Sequence, residues 1–273
     1  MAEQPGLRFG RVAEEYERVR PGYSDTLVDR AYSLAGLRQG DTVGEIGCGT
    51  GKLTRALTAR GLAVEAVEPD PDLIAVARRI VPEQAVRFHQ ARFEDVELPE
   101  GSFPAVFAAT SFHWVDPSVG WSKVAGLLVP GGVFALFSHA GDHEPEMNSE
   151  LRRVWEEATG RGWHPVDQET FWRGAEERRV NVSELWSWLT YHELADPEAA
   201  QLFEQVELSR EPVAVDMSIE DYLARVRTTN NYLHLGAGAQ ERLERDLAAV
   251  IRDHGGVYPG RTFGVLVTAR RAL

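Results

Sequence analysis

Short apolar runs alternate with segments of helical periodicity along most of the chain. A continuous or alternating apolar run of four to eight residues is typical of a strand, whereas apolar positions three and four apart indicate a helix. The pattern predicts strands at 42–46, 63–68, 86–89, 104–109, 133–138, 203–215 and 263–269. It predicts helices at 9–20, from an N-cap at Ser24 to about Gly36, at 52–59, 72–80 and 119–128, and over 218–254. This order indicates an α/β fold with a mostly parallel sheet covered on both faces.

The strand–helix rhythm stops after His139, and residues 140–200 carry polar loops and helical segments rich in Trp. We therefore predict three parts. Residues 1–139 form the main α/β core with an N-terminal lid helix, 140–200 form an inserted helical cap, and 201–273 return to the core with the last two strands and the helices between them.

A glycine-rich turn follows the first predicted strand and opens a helix. Residues 43–51 read V-G-E-I-G-C-G-T-G. Glycines allow a sharp turn and close approach of the backbone to a ligand, and the helix start offers free N–H groups. Glu68 closes the next strand about twenty residues on, where a carboxylate accepts hydrogen bonds from ribose hydroxyls. Together these features predict a nucleoside site at the carboxyl ends of the strands.

At these residues the chain resembles the class I methyltransferases that use S-adenosylmethionine (SAM). The turn reads E-x-G-x-G-x-G, unlike the G-x-G-x-x-G of nicotinamide-binding folds. Further segments that resemble the family are Tyr16 with Arg20-Pro21-Gly22-Tyr23, Ala91–Asp95, Thr110–Trp114 and Leu127–Gly132. Phe103-Pro104 departs from the Phe-Asp that relatives often carry. The resemblance implies a Rossmann-like sheet of seven strands, the last antiparallel, and it is nearest to trans-aconitate and ubiquinone or menaquinone methyltransferases.

The resemblance implies SAM as the cofactor. The glycines of the turn would wrap its methionine portion, with Glu45 near the ammonium, while Phe93 and Glu94 would frame the adenine. Thr110 and Phe112 would lie near the sulfonium. The full predicted cofactor-binding set is Arg20, Glu45, Gly47, Gly49, Gly51, Glu68, Pro69, Phe93, Glu94, Thr110 and Phe112.

His113 is the catalytic candidate, because it follows the fourth strand, where an acceptor must meet the methyl group. Two alternatives are that it shapes the pocket with Trp114 or hydrogen-bonds the cofactor. The predicted substrate-binding set is Tyr16, Tyr23, His139, Trp172, Thr228 and Asn231. Two aromatic clusters, Trp163, His164, Phe171 and Trp172, then Tyr191 and His192, would either cover a flat acceptor or form the cap's own core. Residues 225–232 would either reach the acceptor or merely end a helix.

Charge and cysteine content limit the partners. The chain carries 42 acidic and 29 basic residues, a net charge of −13, which disfavours nucleic acid. The lone Cys48 excludes an intrachain disulfide, lacks an activating neighbour, and fits a cytoplasmic protein.

The N-terminus lacks an apolar signal core, and no run is long enough to span a membrane. His139, Asp142 and His143 lie close in sequence but without defined ligand geometry, so we predict no metal.

We therefore expect methyl transfer from SAM to a small-molecule acceptor, at oxygen, carbon or nitrogen, by in-line displacement, in a monomer or homodimer. Alternatives are a SAM-binding protein without catalysis and a methyltransferase that acts on a protein. A nicotinamide-dependent oxidoreductase is disfavoured by the glycine spacing.

Overall fold

The computed structural model describes residues 10–142, 145–160 and 166–273. Within these ranges the strands are β1 (Thr42–Ile46), β2 (Ala63–Val67), β3 (Val86–His89), β4 (Phe103–Ala109), β5 (Leu128–Asp142), β6 (Phe203–Ser218) and β7 (Val257–Arg271). They form one seven-stranded sheet in the order β3-β2-β1-β4-β5-β7-β6. The first five run parallel, and β7 lies antiparallel between β5 and β6. The predicted Rossmann-like fold class is confirmed.

Helices connect the strands at most of the predicted places. In the described ranges they are α1 (Ala13–Val19), α2 (Asp25–Leu34), α3 (Lys52–Thr58), α4 (Pro71–Ile80), α5 (Pro117–Leu127), α6 (Pro145–Thr159), α7 (Gln168–Glu177), α8 (Val182–Thr190), α9 (Ala199–Leu202), α10 (Ile219–Arg227), α11 (Asn230–Leu233) and α12 (Ala237–Asp253). Ser24 caps α2 as predicted, because its Oγ accepts the Leu27 N–H at 3.2 Å. The single helical pattern predicted over 218–254 is wrong in one respect, since it is divided into α10, α11 and α12.

The sheet is covered on both faces because side chains alternate along each strand. In β4, Val106 and Ala108 join the apolar cluster beneath α5, α7 and α8, whereas Ala105 and Phe107 join the cluster beneath α2 and α3. Burial on both sides explains why the central strands read as continuous apolar runs. Within the described ranges the outer strand β6 pairs with β7 alone, and its residues are mostly exposed or partly buried, as is typical of a sheet edge.

Pro104, which stands where relatives often carry Asp, has no backbone N–H to donate, and it lies at a position of β4 where the pairing with β5 requires none. The pairing of β4 with β5 shifts register between Phe103 and Ala105, so Pro104 has no paired residue in that ladder. Gly132 lies opposite this irregularity, and a Cβ there would come 2.9 Å from the Val129 carbonyl oxygen. The L-x-P-G-G segment therefore serves as a close backbone crossing beside the start of β4.

The helices after β5 divide between two apolar clusters. α7 and α8 pack on the sheet with the main core, through Phe171 and Trp186 among others. α6 instead packs with α10 and α12 in a separate cluster that includes Leu151, Tyr222 and Leu247. The predicted cap over 140–200 stays a prediction as a domain boundary, and Trp163, His164 and His143 lie outside the described residues. No helix in the described ranges combines the length and apolarity that a membrane span requires.

Candidate active site

A cavity of about 730 Å³ opens at the carboxyl ends of β1, β2 and β4, a size usual for a small-molecule site. α1 and the turn after α10 supply further wall residues. The predicted site residues that line it are Tyr16, Arg20, Tyr23, Glu45, Gly47, Gly49, Glu68, Pro69, Phe93, Glu94, Thr110, His113, His139 and Asn231. The fold thus brings together residues that lie more than 200 positions apart in the chain.

The glycine turn forms one wall of the cavity, and its glycines differ in purpose. Gly47 and Gly49 have φ of 65° and 54°, a conformation that favours glycine. A Cβ on Gly47 would lie 2.5 Å from the Ser111 Cβ, whereas one on Gly49 would meet nothing within 4 Å. Gly51 packs behind the turn against Ala77 of α4 and does not line the cavity. Gly49 is therefore the position that leaves open space for a ligand.

Two buried carboxylates lie at the strand ends beside this turn. Glu68 accepts the N–H groups of Gly49 and Asp70, both at 3.0 Å. Glu45 accepts the Thr54 hydroxyl at 2.7 Å. Burial raises the pKa of each carboxyl to about 7. Neither carboxylate pairs with a Lys or Arg among the described residues. A cationic ligand would supply the missing positive charge and so favour the ionised form of each carboxylate.

α1 is fastened across the glycine turn by Glu17. Its carboxylate accepts the Thr50 hydroxyl at 2.6 Å and lies 3.2 Å from the Lys52 Nζ. Lys52 also donates to the Glu17 carbonyl at 2.6 Å. The predicted lid helix therefore contacts the turn directly, as a wall of the cavity rather than a distant cover.

Arg20 and Tyr23 extend this wall toward the segment after α10. The Arg20 guanidinium donates to the Thr228 hydroxyl at 2.9 Å and to the Thr228 carbonyl at 3.0 Å, and burial lowers its pKa. Thr228 itself does not line the cavity. The Tyr23 hydroxyl lies 2.9 Å from the Thr110 hydroxyl, and the Tyr23 ring stacks on His139 at 5.6 Å.

His113 lies on a short 3₁₀ turn after β4, at the cavity wall. Its ring stacks on His192 with 4.4 Å between centroids and an interplanar angle of 7°. Burial, together with the neighbouring His192, lowers the pKa of His113 to about 3. The buried Nδ1 has no hydrogen-bond partner within the described ranges. His113 is therefore a neutral imidazole at pH 7 with one polar atom left to serve a ligand.

The predicted adenine side carries an aromatic ring framed by charges. Lys123 lies over the Phe93 ring, 5.2 Å from its centroid, and donates to the Glu94 carbonyl at 3.0 Å. The Glu94 carboxylate accepts from Arg92 at 2.6 Å and from the Asp116 N–H at 3.0 Å. These contacts fix the loop between β3 and β4 against the start of α5.

Two predicted site residues lie in the apolar core instead of the cavity. The Phe112 ring packs edge-on against Trp121 and Phe134, at 4.7 and 5.0 Å, and does not line the cavity. Trp172 packs against Phe171 and Phe263, away from the cavity wall. Both corrections have one cause, because an apolar pattern shows that a ring is buried but not against which partner.

The structure adds cavity residues outside the predicted set. Lys52, Asp116, His192, Arg225 and Asn230 all line the cavity. Arg225 and Asn230 fall in the segment 225–232, whose acceptor-side alternative this placement favours. Asp116-Pro117 carries a helix-start signal, which reveals the N-cap of α5 but not the direction it faces.

Cys48 also lines the cavity, but its chemistry is suppressed. It is buried, and burial and then Glu45 raise the pKa of its thiol, which opposes thiolate formation. Among the described residues, no group of three or more His, Cys, Asp or Glu side chains is arranged to hold a metal ion.

The glycine turn and the central strands are similar in sequence to known methyltransferases. Residues 44–136 match a family model described as a methyltransferase domain. An uncharacterized methyltransferase of Mycobacterium tuberculosis is 37% identical over 160 residues, 59% of this chain and 62% of that protein. The chain thus spans less than two thirds of the length of this curated relative.

Solved structures show the same fold at low identity. A putative type II methyltransferase from Anaeromyxobacter dehalogenans has a TM-score of 0.63 and 21% identity, covering 92% of this chain and 97% of that one. Phosphoethanolamine N-methyltransferase 2 of Haemonchus contortus, in complex with SAM, has a TM-score of 0.51 and 15% identity, covering 96% and 57%. The part of this chain around residues 44–136 is thus similar to methyltransferase domains, and the fold of the chain is one that solved methyltransferases share.

Proposed function

We propose that this protein is a SAM-dependent methyltransferase that acts on a small-molecule acceptor. One observation carries the proposal. The glycine turn and Glu68, joined by the Gly49 N–H, form one wall of a cavity that continues to His113, His139 and Asn231. Such a cavity has room for a nucleoside cofactor at the strand ends and for a second molecule beside it.

The residues present fit SAM by shape and by charge. Gly49 leaves open space where any Cβ would project. The buried Glu45 and Glu68 carboxylates favour a molecule with an ammonium and ribose hydroxyls. The Arg20 guanidinium, whose hydrogen bonds among the described residues go only to the neutral Thr228, would hold the cofactor's carboxylate. Phe93 offers an apolar surface for the adenine.

When bound, SAM supplies a methyl group whose bond to sulfur breaks, with its electron pair kept by sulfur, as the bond to the acceptor atom forms. This displacement needs alignment and exclusion of water more than acid–base help. α1 covers the glycine turn through Glu17, and Tyr23 holds the Thr110 hydroxyl at the end of β4. These residues would orient the two reactants.

His113 would act as a wall and hydrogen-bonding residue, not as a base. A pKa of about 3 leaves too little basicity to take a proton from a hydroxyl near pH 7. This supports the pocket-shaping alternative over the general base. It also supports an acceptor that is already nucleophilic at neutral pH, such as a carboxylate. The trans-aconitate and quinone subgroup suggested by the sequence stays a prediction.

The test is transfer of labelled methyl from SAM into a fractionated metabolite extract. We expect label in a small-molecule fraction with the wild type and its loss with Glu68→Ala, while Glu100→Ala, an exposed glutamate, keeps full transfer. Release of the label by mild base would identify a methyl ester. SAM binding without any transfer would instead favour the non-catalytic alternative, and label in protein fractions would favour a protein substrate.

A further inference from the structure

Arg225 lines the cavity with a guanidinium that has no counterion among the described residues. Other arginines on and beside α10 are paired with carboxylates. Arg227 makes two bonds to Glu244, at 3.0 and 2.6 Å, and Arg18 of α1 pairs with Asp221. Neither a hydrogen bond nor an ion pair engages the Arg225 side chain within the described ranges. A half-buried cation that faces a cavity in this way is suited to an anion.

Arg225 and Arg20 place two positive charges in the same part of the cavity. Arg225 contributes to the lowered pKa of Arg20, after burial, and burial and then both arginines lower the pKa of His139 to about 4. His139 is therefore neutral at pH 7 and adds no charge of its own. SAM brings one carboxylate, which Arg20 would hold. The second guanidinium then needs a second anion.

The residues next to Arg225 are neutral and polar. Thr229, Asn230 and Asn231 follow α10 and line the cavity beside it. The Asn230 Oδ1 is buried and has no hydrogen-bond partner in the part of the chain that the structure describes. A buried acceptor without a partner destabilises the free protein, and a donor on a bound molecule would satisfy it. The subsite thus offers one cation and one unsatisfied neutral acceptor, the Asn230 Oδ1.

We infer that Arg225 binds an anionic group, a carboxylate or a phosphate ester, on the methyl acceptor. The inference rests on the proposed function and narrows its substrate class to small acids.

The experiment separates acceptor binding from cofactor binding. The metabolite extract is first divided on an anion-exchange resin, and each fraction is assayed with labelled SAM. We expect acceptor activity in the retained fraction. Arg225→Gln should raise the acceptor KM at least tenfold, with Arg225→Lys intermediate, because lysine keeps the charge but loses the two-pronged geometry. The Kd of S-adenosylhomocysteine, measured by calorimetry, should change less than twofold.

Arg242→Gln is the matched control, since it removes the same charge from an exposed position on α12 and should leave both values unchanged. Phosphatase treatment of the retained fraction distinguishes the two anions: activity lost indicates a phosphate ester, and activity kept indicates a carboxylate. Acceptor activity confined to the unretained fraction would overturn the inference. A tenfold weaker S-adenosylhomocysteine affinity in Arg225→Gln would also overturn it, by assigning Arg225 to the cofactor.

Absence of transfer in every fraction would count against the proposed function, and binding then decides the subsite separately. Citrate and inorganic phosphate are titrated into the protein saturated with S-adenosylhomocysteine. Binding of either probe to the wild type and to Arg242→Gln, lost in Arg225→Gln, supports the subsite. Equal binding by all three proteins, or none, overturns it.

Discussion

Burial acts on the cavity's ionisable side chains in opposite directions. The same removal from water raises the pKa of Glu45 and Glu68 and lowers that of His113 and His139, so all four favour their neutral forms. A carboxylate in this state gains most from a cationic ligand, whereas a histidine in this state has little capacity to act as a base. Residue identity alone, a histidine at a strand end, therefore misleads about its chemistry.

His113→Gln should lower the maximal rate of methyl transfer less than tenfold. Glutamine keeps a polar group at the cavity wall, and removal of a true general base would cost about 10²–10⁴-fold. The rate at saturating SAM and acceptor, measured from pH 5.5 to 8.5, should follow the same profile in the variant and the wild type. A loss above 100-fold, together with loss of a titration step, would restore the general-base hypothesis.

Glu45→Gln should stabilise the ligand-free protein at pH 8 and not at pH 5. Folding raises the Glu45 pKa from 4.5 to about 7, so the folded state binds the proton more tightly. Stability is therefore lost as pH rises between these values, and the neutral amide removes that loss. The rise in pKa corresponds to about 3 kcal/mol at pH 8, so we expect Tm to rise by about 6–12 °C there in a protein near this size. Glu100→Gln is the exposed control, and equal shifts at both pH values would contradict the interpretation.

The same Glu45→Gln variant should bind SAM more weakly at pH 8. The wild-type carboxylate is ionised there and attracts the cofactor's cationic groups, whereas the amide carries no charge. Calorimetry should show an affinity that rises with pH up to about 7 in the wild type and is flatter in the variant.

At the scale of elements, α1 depends on its contacts. Its seven residues are too few for a stable isolated helix. It is held by Glu17 against the glycine turn and by ion pairs of Arg18 and Glu15 with α10. A helix bound by a few polar contacts opens more easily than the sheet beneath it, which would let the cofactor enter.

Glu17→Gln should therefore speed dissociation of SAM about tenfold. The change removes the charge that Lys52 pairs with and weakens the bond from Thr50 while keeping the side-chain size. Stopped-flow displacement by excess S-adenosylhomocysteine measures the rate. Glu14→Gln, on the same helix but paired at the exposed surface with Arg79, is the control and should leave the rate unchanged. An equal effect in both variants would mean that α1 acts through helix stability alone.

Helices and strands could be predicted where the spacing of apolar residues follows one period, that of a helix or that of a strand. Contacts between elements distant in sequence could not be predicted in this way. β1 and β3 have the predicted bounds, because each is a short run of strand-forming residues between turn residues. The glycine turn and Glu68 were predictable because their spacing is local. Phe112 and Trp172 were misplaced because a buried aromatic pattern does not identify the cluster it joins. The packing of α6 with α12, and the role of Arg225 beside Arg20, depend on contacts between distant parts of the chain.

At the scale of the whole molecule, the cavity joins parts of the fold that otherwise have separate cores. Its walls come from the sheet, from α1, and from the segment after α10, which packs with α6 and α12. The bonds from Arg20 to Thr228 link the end of α1 to the end of α10 across 208 positions. A ligand that contacts all of these walls would hold them together.

S-adenosylhomocysteine should therefore stabilise the entire protein. At a concentration 100-fold above Kd, exclusive binding to the folded state contributes about 2.7 kcal/mol, which corresponds to a Tm rise of about 5–10 °C. The rise should vanish in Glu68→Ala. Hydrogen exchange should slow in α1 and in residues 228–233 as well as in the glycine turn, because the ligand joins these walls. NAD⁺ is the control ligand, and an equal rise in Tm with NAD⁺ would favour an oxidoreductase. Slower hydrogen exchange in the glycine turn alone would show that the cofactor does not join α1 and α10 to that wall.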